Sequence, residues 1–388
     1  MSSDGLEFSR SSTDCGFPGR FVFFLETEEL KMCMACKTIN EERAEEFAGR
    51  LLELVNGGAI TLMISVGHRT GLFDAMAAME PSTSEEIAQG AGLNERYVRE
   101  WLGAMVTGGI VECDGDRKTY HLPTEHAAFL TRSSSPDNLA VTAQFLPLLS
   151  SVEDEIVDCF HEGGGVHYGR YGRFHEIMAE ESAQSVVAGI EEHVLPLIPG
   201  LAERLERGIE VLDIGCGSGR AMNWMAQRFP RSRFCGYDFS EEAIGNALRE
   251  RNRLGLENVE FRVRDAAQLG ETDRFDLITA FDAIHDQAKP ADVLAGIRRA
   301  LRPGGVFLMQ DIKGSSEHHR NVGNPIAPLL YTISCMHCMT VSLANDGAGL
   351  GAMWGRELAE SMLREAGFDS VEVNELPHDI QNYWYVAR

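Results

Sequence analysis

Positive charge is scarce in this 388-residue chain. It carries 35 Lys and Arg against 59 Asp and Glu, a formal net charge of −24. So acidic a surface repels nucleic acid and anionic membranes, which excludes both as expected partners and leaves a small molecule. No unbroken apolar run reaches the roughly 18 residues needed to cross a bilayer. Phe21–Leu25 is apolar, but Glu26, Glu28 and Glu29 follow it, which no secretory signal would carry. The nine Cys are odd in number and scattered, which excludes a dense disulfide framework and points to reduced thiols in the cytoplasm. Cys33/Cys36 and Cys335/Cys338 have metal-site spacing but lie at opposite ends of the chain, so no metal is expected.

What is present suits a two-domain globular protein. Residues 1–40 read as a flexible extension. Residues 41–130 read as a winged-helix and dimerisation domain, and 41–80 show helical periodicity, with Phe47, Leu51, Leu54 and Val55 on one helix and Ile60, Met63, Ile64 and Gly67 on a second. Ser82 with Glu85 resembles a capping box opening a short helix, Glu85–Gln89. A helix from Asn94 to Thr107 and a hairpin around Asp114-Gly115-Asp116 complete the order of a winged helix. The candidate recognition helix carries Glu95, Arg96, Arg99 and Glu100, which cancel, and Val98, Trp101, Leu102 and Met105, which suit packing. Dimerisation is therefore expected of this domain rather than DNA binding. Exposed apolar residues on its first helices predict a homodimer.

Residues 131–208 read as a helical linker and lid, with helical stretches at 138–160 and 174–206. Gly163-Gly164-Gly165 between them is either a plain linker or a mobile loop beside the pocket candidates Tyr168 and Tyr171. From 209 to 388 strands and helices alternate, the pattern of a parallel α/β sheet. Expected strands are 209–214, 233–237, 259–263, 275–280 and 305–310. Two further strands, Ser370–Leu376 and Asn382–Val386, are joined too tightly to be parallel.

A glycine turn, Gly215-Cys216-Gly217-Ser218-Gly219, leaves the first of these strands and opens a helix, a ready site for an anionic group. Arg220 stands where the dinucleotide fingerprint needs its third glycine, so a nicotinamide cofactor is not expected. Asp213, Asp238, Asp265 and Asp282 each end a strand on one sheet edge, where ligands of such sheets bind. Taken singly, Asp238 also reads as a helix cap and Asp265 as a turn residue.

Val211–Gly219 resembles motif I of class I S-adenosylmethionine-dependent methyltransferases. Leu301-Arg302-Pro303-Gly304-Gly305 resembles the signature before their fifth strand. The resemblance implies a Rossmann-like seven-stranded sheet with an antiparallel last strand and S-adenosylmethionine as cofactor. It implies that Gly215, Gly217 and Gly219 form the cofactor turn. Asp213 would face the ammonium group, Asp238 and Phe239 the ribose, Asp265 and Ala266 the adenine, and Phe281 and Asp282 the methionine part. The stretches Gly67–Asp74, Asn94–Leu102 and Met353-Trp354-Gly355 extend the likeness to two-domain winged-helix methyltransferases.

His285-Asp286 resembles the His-Asp pair of plant-type O-methyltransferases, whose His removes the acceptor's proton. Gln287 stands where that family has Trp, which leaves the substrate class open. A neutral-range pKa suits His to that task. The expected reaction is O-methylation of a small molecule. N- or S-methylation, needing no base, is the alternative within the fold, and a cofactor-sensing winged-helix regulator is the alternative outside it. Residues 313–355 form a long connection at the same edge, and His337 and Trp354 are its pocket candidates.

Overall fold

The computed structural model describes residues 39–388. The extension expected over residues 1–40, with Cys33 and Cys36, lies almost wholly outside them. Two compact units divide the chain, residues 1–53 and Leu54–Arg388. In the first, Asn40 caps the start of a helix by accepting from Arg43 N–H at 3.1 Å.

That helix, α1 (Glu41–Thr70), is continuous through Gly57-Gly58. The sequence reading had divided it in two. By length and composition α1 is the one described helix apolar enough to cross a membrane, a property the unbroken-run criterion missed because Glu53 and Asn56 interrupt it. Its last turns are packed in a protein core. Ile60, Met63 and Ile64 join Phe73, Trp101 and Leu102, and Trp101 Nε1 donates to the Met63 carbonyl at 2.8 Å. A Cβ on Gly67 would stand 2.7 Å from both Phe73 and Trp101, so glycine is required there for α1 to seat on the domain.

Next come α2 (Leu72–Ala77), α3 (Ser84–Ala91) and α4 (Glu95–Thr107). The capping box is present one residue later than expected: Thr83 accepts from Glu86 N–H, and Glu86 accepts from Thr83 N–H. Threonine and glutamate satisfy two helix-end donors reciprocally there. Asn94 caps α4. Val98, Trp101, Leu102 and Met105 are buried, while Arg96 pairs with Glu100 and Arg99 with Glu95. β1 (Glu112–Asp114) and β2 (Thr119–His121) form the wing, and Tyr120 also bridges to Ser82.

The stretch 131–208, expected as a linker and lid, is more broken than two helices. Leu139–Thr142, Phe145–Ser150 and Glu153–Glu162 come first, and the second stretch passes from Phe174–Ser185 through 3-10 and π turns to Leu201–Arg207. The triple glycine docks rather than dangles. Val166 N–H donates to Thr340 Oγ1 at 2.8 Å, and any side chain at Gly165 would collide with the Thr340 carbonyl.

The remaining strands are β3 (Glu210–Ile214), β4 (Arg233–Asp238), β5 (Val259–Val263), β6 (Phe275–Phe281), β7 (Leu301–Ile312), β8 (Val371–Leu376) and β9 (Asp379–Ala387). They form one sheet in the order β5-β4-β3-β6-β7-β9-β8. All neighbours are parallel except β9, which lies antiparallel between β7 and β8. Alternate residues feed two cores. Val211, Leu277 and Leu308 face one layer of helices, and Leu212, Ile278 and Met309 the other.

Candidate active site

The carboxyl ends of β3, β4 and β6 open into a cavity. Asp213, Gly215, Gly217, Asp238, Phe239, Phe281, Asp282, His285, Asp286, Tyr168 and His337 line it together. Gly219, Asp265, Ala266, Tyr171 and Trp354 do not. Asp265 is exposed and caps the short turn Ala266–Gln268, accepting from Ala267 N–H at 2.9 Å. Ala266 is buried in the second core. Gly219 begins the helix Arg220–Arg228 and abuts Phe261 and Ala247.

The glycine turn holds its shape through positive φ at Gly215, Gly217 and Gly219. A Cβ on Gly215 would overlap Ala283, whereas the space before Gly217 is open. Asp238 fastens this turn to the next strand. Its Oδ2 accepts from Gly217 N–H at 2.9 Å and its Oδ1 from Ser240 N–H at 2.8 Å. Burial pushes its carboxyl above the usual range despite those two bonds. Asp213 accepts from Thr279 Oγ1 at 2.7 Å, and burial raises it to about 7. His175, on the helix Phe174–Ser185, supports Ser240 through a bond of 2.8 Å.

His285 is the centre of a second cluster. Its Nδ1 lies 2.8 Å from Asp311 Oδ1, and its Nε2 lies 3.1 Å from Asp286 Oδ1. Trp354 Nε1 donates to the same Asp311 oxygen at 2.9 Å. Burial opposes a charge on the ring, but Asp311 and Asp286 outweigh it and hold His285 well above the usual histidine range. His285 pushes Asp286 below the usual range in turn, against its burial. Asp311 was not anticipated from sequence. The available signal was a carboxylate after the apolar run Val306–Met309, at the same strand-end position as the other four acids. Glu181, Phe174, His175, Cys338 and Asn382 also line the cavity without having been anticipated. His285 with Asp286 and Cys338, or with Asp282 and Asp311, offers ligand atoms within 4.8 Å of one another.

The connection 313–355 contributes a helical run, Ala327–Leu343, with a π turn at Ser334–Cys338. Such turns recur at functional sites. This one directs His337 and Cys338 to the cavity. His337 stacks on Phe174 at 4.0 Å, both its ring nitrogens lack partners, and burial lowers it to about 4. Tyr168 adds an aromatic wall between Phe174 and Phe239. Tyr171 stands behind it and donates from its hydroxyl to the Met336 carbonyl.

Comparison with known proteins agrees with this anatomy. Residues 58–132 match the Rv2258c-like winged HTH domain. Residues 205–376 match a methyltransferase domain. This chain carries a winged HTH domain followed by a methyltransferase domain. Trans-aconitate 2-methyltransferase of Acidovorax sp. (strain JS42) is 33% identical over 31% of this chain and 45% of its own. Erythromycin 3''-O-methyltransferase of Saccharopolyspora erythraea is 27% identical over 51% of this chain and 63% of its own. The chain thus spans under half of the first curated relatives' length. Human N-acetylserotonin methyltransferase, solved with S-adenosylmethionine, shares the fold with a TM-score of 0.64 at 17% identity, over 92% of this chain and 99% of its own.

The cofactor of this methyltransferase domain is S-adenosylmethionine, and the residues present fit it. The turn leaves open space before Gly217, the buried Ser218 hydroxyl has no partner, and Asp238 closes the strand edge beside them.

Proposed function

We propose that this methyltransferase acts on an oxygen atom of a small-molecule acceptor, with His285 and Asp286 handling the acceptor's proton. The carrying observation is the chain Trp354–Asp311–His285–Asp286, which runs from the core into the cavity that holds the glycine turn. Bound S-adenosylmethionine supplies an electrophilic methyl on a cationic sulfur. Transfer then needs alignment of acceptor and donor and removal of a hydroxyl proton. Asp311 fixes the His285 ring so that Nε2 faces the cavity. The positive charge of the donor disfavours the proton that Asp311 and Asp286 hold on His285. The neutral ring then accepts from the hydroxyl, and Asp286 stabilises the imidazolium that results. Asp213, Phe239, Phe281 and Asp282 shape the donor's place, with Tyr168, Tyr171, His337 and Trp354 on the acceptor's side. Asp265 and Ala266 keep their proposed place near the adenine, outside the present cavity wall.

We assign residues 41–130 to dimerisation, 131–208 to the lid and 209–388 to the catalytic domain. Leu54 and Val55 are 60% and 68% exposed, an apolar surface that a second copy would cover. The enzyme then works in the cytoplasm as a homodimer without nucleic acid, a reading supported by the internally paired charges of α4. His285→Ala is the direct test: turnover should fall at least tenfold with S-adenosylhomocysteine affinity unchanged. Unaltered turnover with hydroxyl acceptors would refute the assignment and favour a nitrogen or sulfur acceptor.

A further inference from the structure

The two ring nitrogens of His285 are held differently. Nδ1 lies 2.8 Å from Asp311 Oδ1, and Trp354 Nε1 donates to that same oxygen at 2.9 Å. Nε2 faces Asp286 Oδ1 at 3.1 Å, but no hydrogen bond joins them, and that oxygen is buried without a partner. Cys338 completes the cluster. Its Sγ, a carboxylate oxygen of Asp286 and a ring nitrogen of His285 lie within 4.8 Å of one another. Nδ1 is engaged by Asp311, so Nε2 is the nitrogen available to share this point. His285 and Cys338 are 3% and 5% exposed, and all three residues line the cavity.

The folded chain brings this donor set together from separate elements. His285 and Asp286 follow β6, whereas Cys338 ends the π turn Ser334–Cys338. Cys335, its partner in the C-x-x-C spacing, does not belong to the cluster. Imidazole nitrogen, carboxylate oxygen and sulfur suit a borderline-soft cation. Zn2+ takes these three ligands and keeps a fourth position open, whereas Mg2+ and Ca2+ call for oxygen. A histidine on a metal nearly always gives its other N–H to a carboxylate, which fixes the ring. Asp311 does this for His285, and Trp354 fixes Asp311 in turn. The trio Asp282, His285 and Asp311 also clusters, but it has no sulfur and draws on Asp311, which the first trio leaves to orient the ring.

We infer that His285 Nε2, Asp286 and Cys338 form a Zn2+ site, and that zinc there shuts the enzyme off. The second half rests on the reading of His285 as the base. Nε2 has one lone pair, so a ring that holds the metal cannot take a proton from a hydroxyl. Coordination replaces the thiol proton of Cys338, which leaves to solvent. The chain is therefore active without the metal and blocked with it, and its response to zinc needs no second regulatory site.

The test uses the full chain, stripped of metal by a chelator and titrated with Co2+ as a coloured stand-in for Zn2+. One equivalent should bring the charge-transfer absorption of a thiolate–cobalt bond and the strong visible bands of a tetrahedral site, and Zn2+ should erase both. The near-isosteric Cys338→Ser should lose the charge-transfer band. Both it and Asp286→Asn should bind Co2+ at least tenfold more weakly, roughly the least that even a residue supporting a ligand contributes. Circular dichroism identifies any variant that fails to fold, and the other then decides. Cys335→Ser, and Cys33→Ser combined with Cys36→Ser, should leave the spectrum unchanged. Absence of the charge-transfer band in the wild type, or its persistence in Cys338→Ser, overturns the site and leaves the base reading standing. The shut-off is read with a hydroxyl acceptor that the metal-free protein methylates: S-adenosylhomocysteine release should fall in step with occupancy. A rise instead overturns the shut-off and transfers activation of the acceptor from His285 to the metal. A metal-free protein inactive toward every hydroxyl acceptor refutes the base reading, and the cobalt spectrum still decides the site.

Discussion

Replacing Asp311 by Asn separates charge from shape at His285, the proposed base. The amide keeps one oxygen for Trp354 Nε1 and His285 Nδ1–H, now 2.9 and 2.8 Å from the carboxylate, but it removes the negative charge. A hydrogen bond to a charged group contributes about 1.5–3 kcal/mol. At about 1.36 kcal/mol per pKa unit, the His285 value should fall by about one to two units. The native value lies above that of free histidine, so base-catalysed turnover appears only as pH rises through it. In Asp311→Asn that rise in kcat/KM should begin about one to two units lower. The plateau should be lower, because a less basic ring drives proton removal less. Stability follows the same sign. The His285–Asp311 interaction is fully present below the unfolded histidine value near about 6.5 and is lost as pH climbs through the folded one. The wild type's advantage in urea midpoint should therefore be largest in mild acid and shrink toward alkaline pH. Rates of S-adenosylhomocysteine release across this range provide the kinetic assay. A pH profile that does not move, with turnover intact, would show that His285 is not the group that titrates.

Three further outcomes follow from the geometry. Asp238→Ala leaves the N–H groups of Gly217 and Ser240 without their acceptor, at about 1–3 kcal/mol each. It should weaken S-adenosylhomocysteine binding at least tenfold by calorimetry, and full affinity would refute its place in the donor site. Gly217→Ala puts a methyl into open space at φ +50°. A left-handed conformation costs an alanine about 1–2 kcal/mol, so the melting temperature should fall modestly while cofactor affinity falls further; equal losses would place the donor elsewhere. Val55→Glu with Leu54→Glu should convert the proposed dimer to a monomer in sedimentation velocity, and an unchanged sedimentation coefficient would rule out this face.

Sequence revealed what depends on local chemistry. Strand–helix alternation, the glycine turn, the helix from Asn94 to Thr107 and the antiparallel β9 were all legible because each is written in adjacent residues. The division of α1 was misread because Gly57-Gly58 signals a break, while packing of Ile60, Met63 and Ile64 overrides that local preference. The cluster around His285 was half legible. His285-Asp286 are neighbours in sequence, but Asp311 reaches the ring only because β7 lies beside β6. Glu181 and Asn382 were hidden for the same reason, since a lid helix and the last strand meet only in the folded chain.

The π turn at Ser334–Cys338 has the geometry of one extra residue carried within a helix. Deleting a residue elsewhere in this helix, where no such turn absorbs the change, would turn everything beyond it by about 100°. Thr340, the anchor of the glycine loop at Val166, and Ser342, which donates to the Gln287 carbonyl, lie just beyond. The helix thus works as a splined shaft, with the acceptor wall, the lid loop and the segment after His285 keyed to one rotational setting. Changes of length in this helix should therefore be far less tolerable than changes of residue.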